Sequence, residues 1–110
     1  MRVKLASVKE SAIERELRIR VEALGGVCEK VRVIGRRGFF DRLVVLPPGV
    51  VVFVELKRPK RGRLSRHQIW YAARFAALGV AIALVRTSAD IDALLKKKWA
   101  GAVPTPRGPI

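Results

Sequence analysis

An apolar run that ends in two opposite charges constrains this fold more than any other segment. Residues 50–54 read Val-Val-Val-Phe-Val, and β-branched and aromatic side chains of this kind favour a strand that is buried on both faces. Glu55 and Lys57 then follow where more aliphatic residues would be expected. Because side chains alternate across a strand, these two charged groups should lie on the same face.

A second apolar run lies just upstream and begins with another carboxylate. It extends from Asp41 to Leu46, and the segment Pro47-Pro48-Gly49 follows it. A turn of this composition predicts that the two runs pair as an antiparallel hairpin. In such a hairpin Asp41, at the start of one strand, and Glu55, near the end of the next, come to the same end of the sheet.

Three charged groups at one end of an apolar hairpin permit two interpretations. Buried charge is unfavourable unless it is paired or coordinates a metal. Two carboxylates with backbone and water oxygens suit a hard cation such as Mg²⁺, and a neighbouring lysine stabilises negative charge on a phosphate or orients a water. The alternative is a cluster of salt bridges, Glu55 with Lys57 and Asp41 with Arg42. The hairpin alone does not decide between them.

The net charge indicates the class of partner. Lys and Arg number 23 against 9 Asp and Glu, a formal charge of +14 over 110 residues. This excess is too large for an ordinary cytosolic enzyme of small metabolites and implies a polyanion, most simply nucleic acid. No transmembrane run, signal peptide or long basic amphipathic helix is apparent, so we expect no membrane partner and a cytoplasmic location. The single cysteine, Cys28, excludes an internal disulfide and fits a reducing compartment.

Hydrophobic periodicity and turn signals predict the element order α-β-β-β-α-β-α. The predicted helices are 7–24, 66–78 and 89–98, and the predicted strands are 27–33, 41–46, 50–57 and 80–85. Ser7 and Glu10 have the spacing of a capping box for the first helix. We therefore expect one α/β domain over residues 1–100, with a mixed sheet flanked by helices and a crossover helix before the last strand. The Pro- and Gly-rich residues 101–110 are predicted to be a disordered tail.

Three glutamates of the first predicted helix differ in their position relative to its apolar stripe. Glu16 falls on the polar face, and capping explains Glu10 in the first turn. Glu14 lies at the edge of the stripe, from which its side chain can lean towards the sheet. In the second helix, Trp70, Tyr71 and Phe75 are expected mostly in the core.

Two basic loops flank the acidic residues of the hairpin. The first is Gly35-Arg36-Arg37-Gly38, which precedes Phe39-Phe40 and Asp41, and the second follows Lys57. Arginine side chains provide planar forks suited to phosphate. The residues expected to contact DNA phosphates are Arg36, Arg37, Arg58, Lys60, Arg61 and Arg63. Phe39-Phe40 is expected to pack beneath the site, and His67, the only histidine, to lie at the surface.

The ordered set of these segments resembles the PD-(D/E)xK nuclease superfamily, and more closely its VRR-NUC family. The residues that carry the resemblance are Asp41, then Glu55-Leu56-Lys57, with Glu14 on the preceding helix and Gln68 on the following one. The resemblance covers residues 9–98 and implies a restriction-endonuclease-like core. One residue departs from the family pattern, because Phe40 stands where the family usually has Pro; this affects the turn more than the ligands.

The resemblance also implies a metal site for Mg²⁺ or Mn²⁺ and no organic cofactor. Asp41 and Glu55 would ligate the metal, and the backbone carbonyl of Leu56 would help. Glu14, or alternatively Glu10, would complete the site. The stretch Glu14-Arg15-Glu16-Leu17 is similar to a helix start in the related archaeal Holliday-junction resolvases, which favours Glu14.

The remaining expectations concern catalysis and substrate. The resemblance implies that Lys57 activates the attacking water and stabilises charge, while Gln68 orients Lys57 or the water. Stand-alone members of the family resemble junction resolvases and act as homodimers, so hydrolysis of phosphodiester bonds in branched DNA, such as four-way junctions, is expected. Two alternatives stay open, a nuclease for flap or single-stranded DNA and a non-catalytic basic domain that binds nucleic acid.

Overall fold

The computed structural model of the protein describes residues 10–57 and 63–97, which form three helices and four strands. The helices are α1 (Ala12–Ala23), α2 (Arg66–Ala77) and α3 (Ser88–Lys96), and the strands are β1 (Val27–Lys30), β2 (Arg42–Leu46), β3 (Val50–Leu56) and β4 (Ala81–Val85). Their order confirms the predicted α-β-β-β-α-β-α succession. The predicted tail, residues 101–110, lies outside the described residues.

The four strands form one mixed sheet in the order β1-β2-β3-β4. Strand β2 pairs antiparallel with β1 and β3, whereas β4 lies parallel to β3. Residues 47–49 turn the β2–β3 hairpin, and there the Gly49 N–H donates to the Leu46 carbonyl at 2.8 Å. Helix α2 makes the crossover that a parallel pair requires, as the sequence predicts.

The two faces of the sheet bury different kinds of side chain. Helices α1 and α3 cover an aliphatic core of Leu17, Val21, Cys28, Val44, Leu46, Val52, Val54, Val85, Ile91 and Leu94. Helix α2 covers the other face, where Phe39, Phe40, Phe53, Tyr71 and Phe75 form an aromatic cluster with neighbouring ring centroids 5.1 to 6.5 Å apart. Side chains alternate along β3, so Val52 and Val54 face the aliphatic core while Phe53 faces the aromatic cluster. Strand β3 is therefore covered on both faces, and its charged end is shielded from water.

Helix α1 begins later than predicted. Its N-cap is Ser11, whose Oγ accepts the Glu14 N–H at 3.2 Å, while the Glu14 carboxylate accepts the Ser11 N–H at 3.4 Å. The Ser-x-x-Glu spacing occurs at both 7–10 and 11–14, and the second copy is the one that caps the helix. The capping role predicted for Glu10 is therefore wrong, because Glu10 precedes the N-cap and accepts hydrogen bonds from two arginines, while Ser7 lies outside the described residues.

Two further expectations differ from the structure. Strand β1 ends at Lys30 instead of residue 33, because the Arg36 N–H donates to the Val33 carbonyl at 3.2 Å and turns the chain at Gly35, whose φ is 81°. Trp70 is 56% exposed and does not join the core, whereas Tyr71 is buried. Within the described residues, no helix is long and apolar enough to cross a membrane.

Candidate active site

Asp41 and Glu55 lie opposite each other at one end of the β2–β3 hairpin. In the antiparallel register Arg42 faces Val54, so the next position along pairs Asp41 with Glu55. The Asp41 N–H donates to the Val54 carbonyl at 3.0 Å, which keeps Asp41 in line with the strand. The structure thus brings the two carboxyl-bearing residues together as the hairpin predicts.

The Asp41 carboxylate is fixed by the backbone of the neighbouring strand. Its Oδ2 accepts a hydrogen bond from the Leu56 N–H at 2.8 Å. Burial raises the pKa of Asp41 above its ordinary value, the Leu56 hydrogen bond opposes this effect, and the negative charge of Glu14 adds to it. Leu56, whose carbonyl is a predicted ligand, is therefore in direct contact with Asp41.

Glu55 is almost fully buried, and one of its carboxylate oxygens has no hydrogen-bond partner. The side chain is 5% exposed; its Oε2 lies 3.3 Å from Lys57 Nζ and also accepts a hydrogen bond from the Gln68 amide. The Oε1 is buried and unpaired. Burial, followed by the negative charge of Asp41, raises the pKa of Glu55 to about 7, although Lys57 and Gln68 act in the opposite direction. The expected pairing of Glu55 with Lys57 is present.

This arrangement fits a hard divalent cation. An unpaired buried carboxylate oxygen is unfavourable, and a cation between it and Asp41 would satisfy it while relieving the repulsion of the two carboxyl groups. Within residues 10–57 and 63–97, no group of three or more His, Cys, Asp or Glu side chains could hold a metal. The candidate ligands are therefore Asp41, Glu55 and backbone or water oxygens, a set typical of Mg²⁺, which retains several waters.

Arg42 binds both glutamates that the sequence offers as a third metal ligand. Its Nε donates to Glu14 Oε2 at 2.9 Å, and its Nη2 donates to Glu10 Oε2 at 3.1 Å. The Nη1 donates to the Cys28 carbonyl at 3.3 Å. Neighbouring residues of a strand point to opposite faces, so Arg42 lies beneath α1 and faces away from Asp41. The Asp41–Arg42 salt bridge of the alternative interpretation is therefore absent, because Arg42 pairs with Glu10 and Glu14.

A cleft at the charged end of the sheet distinguishes Glu14 from Glu10. Its volume is about 500 Å³, and it is lined by Ser11, Ala12, Ile13, Glu14, Lys30, Asp41, Leu56, Lys57 and Arg86. Glu14 shares this cleft with Asp41 and Lys57. Glu10 is held by Arg18 at 2.8 Å, and this hydrogen bond is the main reason why the pKa of Glu10 is lowered. The geometry thus places Glu14 nearer to the acid pair than Glu10.

Gln68 reaches Glu55 from the first turn of α2. Its Oε1 accepts the Ser65 N–H at 2.8 Å as half of a capping box, which leaves Nε2 to donate to Glu55. We expected Gln68 to orient Lys57 or a water, and the structure instead shows it bonded to the oxygen that also faces Lys57. Gln68 and Lys57 therefore hold Glu55 from two sides.

The basic loops are partly described. Arg36, Arg37 and Arg63 are exposed, as phosphate contacts must be, while Arg58, Lys60 and Arg61 lie outside the described residues. Phe40, in place of the family's usual Pro, is 5% exposed and packs against Phe53 at 5.6 Å between ring centroids. The prediction that the aromatic pair packs beneath the site is confirmed.

Sequence reasoning missed the role of Arg42. A signal was available, because the alternation of β2 places Arg42 on the same face as Val44 and Leu46, where a charge needs partners. The acceptors themselves are 28 and 32 residues away in the chain, and only the docking of α1 brings them near.

Comparison with known proteins finds relatives by sequence and by structure, although no family model matches the chain. A protein named "Putative nuclease p44", from Acyrthosiphon pisum secondary endosymbiont phage 1, is 39% identical over 88 residues, which are 80% of this chain and 92% of the relative. A solved structure described as a VRR_NUC domain is similar with a TM-score of 0.74 and 34% identity, over 82% of this chain and 97% of that one.

Fold and site agree with these similarities. A mixed sheet whose central hairpin carries an Asp opposite a Glu-x-Lys sequence is the arrangement implied by resemblance to the PD-(D/E)xK superfamily. Within that superfamily, the chain belongs to the VRR-NUC family.

Proposed function

We propose that the protein is a divalent-metal-dependent nuclease that hydrolyses phosphodiester bonds in DNA. The observation that carries this proposal is the unpaired, buried Oε1 of Glu55 opposite Asp41 and next to Lys57. Membership of the VRR-NUC family supports it, as does the phage relative that bears the name "Putative nuclease p44".

Asp41, Glu55 and the carbonyl of Leu56 would hold the metal, which we propose to be Mg²⁺ or Mn²⁺. When bound, such a cation neutralises phosphate charge and lowers the pKa of a ligated water. Asp41 is pre-oriented for binding by the Leu56 N–H, and Glu55 is pre-oriented by Gln68. Glu14, which lines the same cleft, would contribute through water, because Arg42 already occupies one of its oxygens.

Lys57 provides the cationic side chain next to Glu55. Its side chain is 19% exposed, so the ammonium group reaches both the Glu55 carboxylate and the cleft. From this position it orients the attacking water and stabilises the negative charge that develops on the phosphate oxygens. Lys30 and Arg86, which line the same cleft, add positive charge where the substrate phosphate arrives.

The substrate we propose is branched DNA, cut by a homodimer. The net charge of +14 and the exposed Arg36, Arg37 and Arg63 favour contacts with phosphates, which position DNA without reading its sequence. Arg58, Lys60 and Arg61 of the second basic loop belong to the same proposed surface. Two symmetric cuts in a four-way junction require two active sites, which a twofold dimer supplies.

A cleavage panel tests these proposals. The parent protein is incubated with Mg²⁺ or Mn²⁺ and with four-way junction, flap, splayed, duplex and single-stranded DNA. Asp41→Asn, Glu55→Gln and Lys57→Ala are run in parallel. The matched controls are Glu29→Gln, an exposed carboxylate on β1, and Lys96→Ala, an exposed lysine on α3.

Each outcome has a defined meaning. Metal-dependent cutting of junctions that all three site variants abolish and both controls retain supports the proposal. Cutting confined to flaps or single strands preserves the nuclease and refutes the junction preference. A folded parent that binds DNA and cuts nothing with either metal refutes catalysis and leaves a binding domain.

A further inference from the structure

Helix α2 presents an exposed aromatic side chain among basic residues. Trp70 is 56% exposed, and the helical spacing of three and four residues places His67 and Arg66 beside it. Together with Tyr71 and Arg36 these residues line a hollow of about 440 Å³. The lining contains two arginines, one histidine and two aromatic rings, and no carboxylate.

The hollow is built by two separate segments that are packed together. Gly38, with φ of 75°, lies so close to α2 that a Cβ on it would contact the Cβ of His67 and the backbone N of Gln68. This close approach holds the basic loop against the first turn of α2 and brings Arg36 to the Trp70 side of the helix. Trp70 in turn packs edge-on against Tyr71, with 5.2 Å between the ring centroids.

We propose that this hollow binds one unpaired nucleotide of the DNA substrate, with its base stacked on Trp70 and its phosphate held by Arg36 and Arg66. The volume lies within the range of about 300 to 1,000 Å³ that is usual for sites of small organic groups. The proposal rests on the proposed function, since it concerns the DNA that the acid pair would cut, and it adds a substrate class.

Stacking on Trp70 requires a base that is not already stacked between neighbouring bases. A paired base inside a duplex has both faces covered by adjacent base pairs, so an exposed indole gains little from it, whereas an unpaired base offers a free face. The guanidinium groups of Arg36 and Arg66 supply charge-assisted contacts for the phosphate of the same nucleotide. The aromatic ring and the two arginines therefore act on the same unpaired nucleotide.

The position of the hollow relative to the acid pair determines which nucleotide of the DNA it would bind. Gln68 contacts Glu55, while Trp70, two residues later, points about 200° around the same helix. The hollow and the acid pair thus lie on different sides of α2. The bound nucleotide is therefore one that flanks the cut, and DNA with unpaired bases beside a branch is the substrate that satisfies both sites.

Binding measured in EDTA tests the proposal without hydrolysis. The protein carries Trp99→Phe, because Trp99, outside the described residues, would obscure the fluorescence of Trp70. The probes are a fully paired duplex and the same duplex with one splayed arm. Trp70 fluorescence should be quenched by the splayed DNA alone. In the natural background, Trp70→Ala should weaken binding of the splayed DNA about tenfold and binding of the paired duplex less than about twofold.

Three variants separate stacking from other causes. Trp70→Tyr keeps a stacking ring and should recover most of the affinity for splayed DNA. Ile69→Ala removes another exposed apolar side chain of α2, outside the hollow, and should change neither affinity. Arg36→Ala should weaken binding of the splayed DNA more than binding of the paired duplex, and it should reduce the salt dependence of splayed-DNA binding by about one counterion.

Specific results would overturn the proposal. Equal weakening of both DNAs by Trp70→Ala, or of neither, would remove the stacking role. A shift from dimer to monomer on Trp70→Ala, measured by sedimentation, would assign the indole to an interface between two copies. The cleavage panel is an independent test. If Trp70 discriminates splayed from paired DNA but the protein cuts nothing, only the nuclease proposal is refuted. If the protein cuts DNA but Trp70→Ala weakens both DNAs equally, only the proposed role of the hollow is refuted.

Discussion

Arg42 Nε lies 2.9 Å from Glu14 Oε2, and this nearly buried ion pair joins β2 to the start of α1. The two side chains are 5% and 12% exposed, so little water screens them. Glu14 therefore has a counter-charge of its own in the folded chain. A metal at the site proposed for Asp41 and Glu55 would therefore meet a glutamate that is already oriented and partly neutralised.

The first prediction concerns this ion pair. Arg42→Ala should reduce the free energy of unfolding by about 3 kcal/mol, because it leaves the carboxylates of Glu14 and Glu10 close together without their shared cation. Arg32→Ala, at an exposed position, should change it by less than about 0.5 kcal/mol. Urea unfolding of both variants measures the difference, and equal effects would show that the ion pair does not stabilise the fold.

The second prediction concerns pH and the metal-free protein. The pKa of Glu55 is about 7 in the folded chain against an ordinary 4.5, so between these values the folded state binds the proton more tightly than the unfolded state does. Stability should therefore fall as pH rises through this window. Glu55→Gln should remove most of that fall. Its free energy of unfolding should exceed that of the parent by roughly 2 kcal/mol at pH 8 in EDTA. Glu29→Gln should follow the parent; parallel pH profiles for all three proteins would contradict the assignment.

The third prediction concerns metal addition. Cation binding requires the charged form of Glu55, so Mg²⁺ should raise the Tm of the parent clearly at pH 8 and only slightly at pH 5.5. Asp41→Asn should abolish the rise at both values, whereas Glu29→Gln should preserve it. Thermal scans with and without Mg²⁺ decide this, and a Tm rise that persists in Asp41→Asn would place the cation elsewhere.

The fourth prediction compares two glycines of the first basic loop. Gly35 and Gly38 both have positive φ, 81° and 75°, so alanine at either position is strained by about 1 kcal/mol. Open space surrounds a Cβ at Gly35, whereas a Cβ at Gly38 meets α2. Gly38→Ala should therefore be the more destabilising by a further 1 kcal/mol or so. Chemical denaturation of Gly35→Ala and Gly38→Ala measures the difference in stability that packing against α2 causes. Equal losses of stability in the two variants would show that this packing effect is absent.

The sequence was informative where one local rule determined the geometry. Alternation along β3 and the turn at residues 47–49 were enough to place Asp41 opposite Glu55, since a hairpin register depends on neighbouring residues alone. The start of α1 was not determined in this way, because two Ser-x-x-Glu segments carry the same signal. Glu10 accepts hydrogen bonds from Arg18 on α1 itself and from Arg42 on β2, so its carboxylate is engaged away from a helix cap.

Long-range contacts account for the other differences. The partners of Arg42 depend on where α1 docks, and hydrophobic patterning contains no information on that pairing. Trp70 was assigned mostly to the core on its apolar character. The apolar face of α2 is narrow, however, and Tyr71 and Phe75 occupy it. Trp70 therefore lies outside the apolar face of α2, although the next residue, Tyr71, is buried.

Gln68 uses both ends of its amide, one to cap α2 and the other to hold Glu55. A helix terminus opens more readily than the fold as a whole, and such an opening has its own, smaller free energy. If the first turn of α2 frays, Glu55 loses a hydrogen-bond donor while the rest of the sheet stays intact. Exchange of the backbone amide hydrogens at Ser65 and Gln68 with solvent deuterium therefore reports how firmly the carboxylate is held.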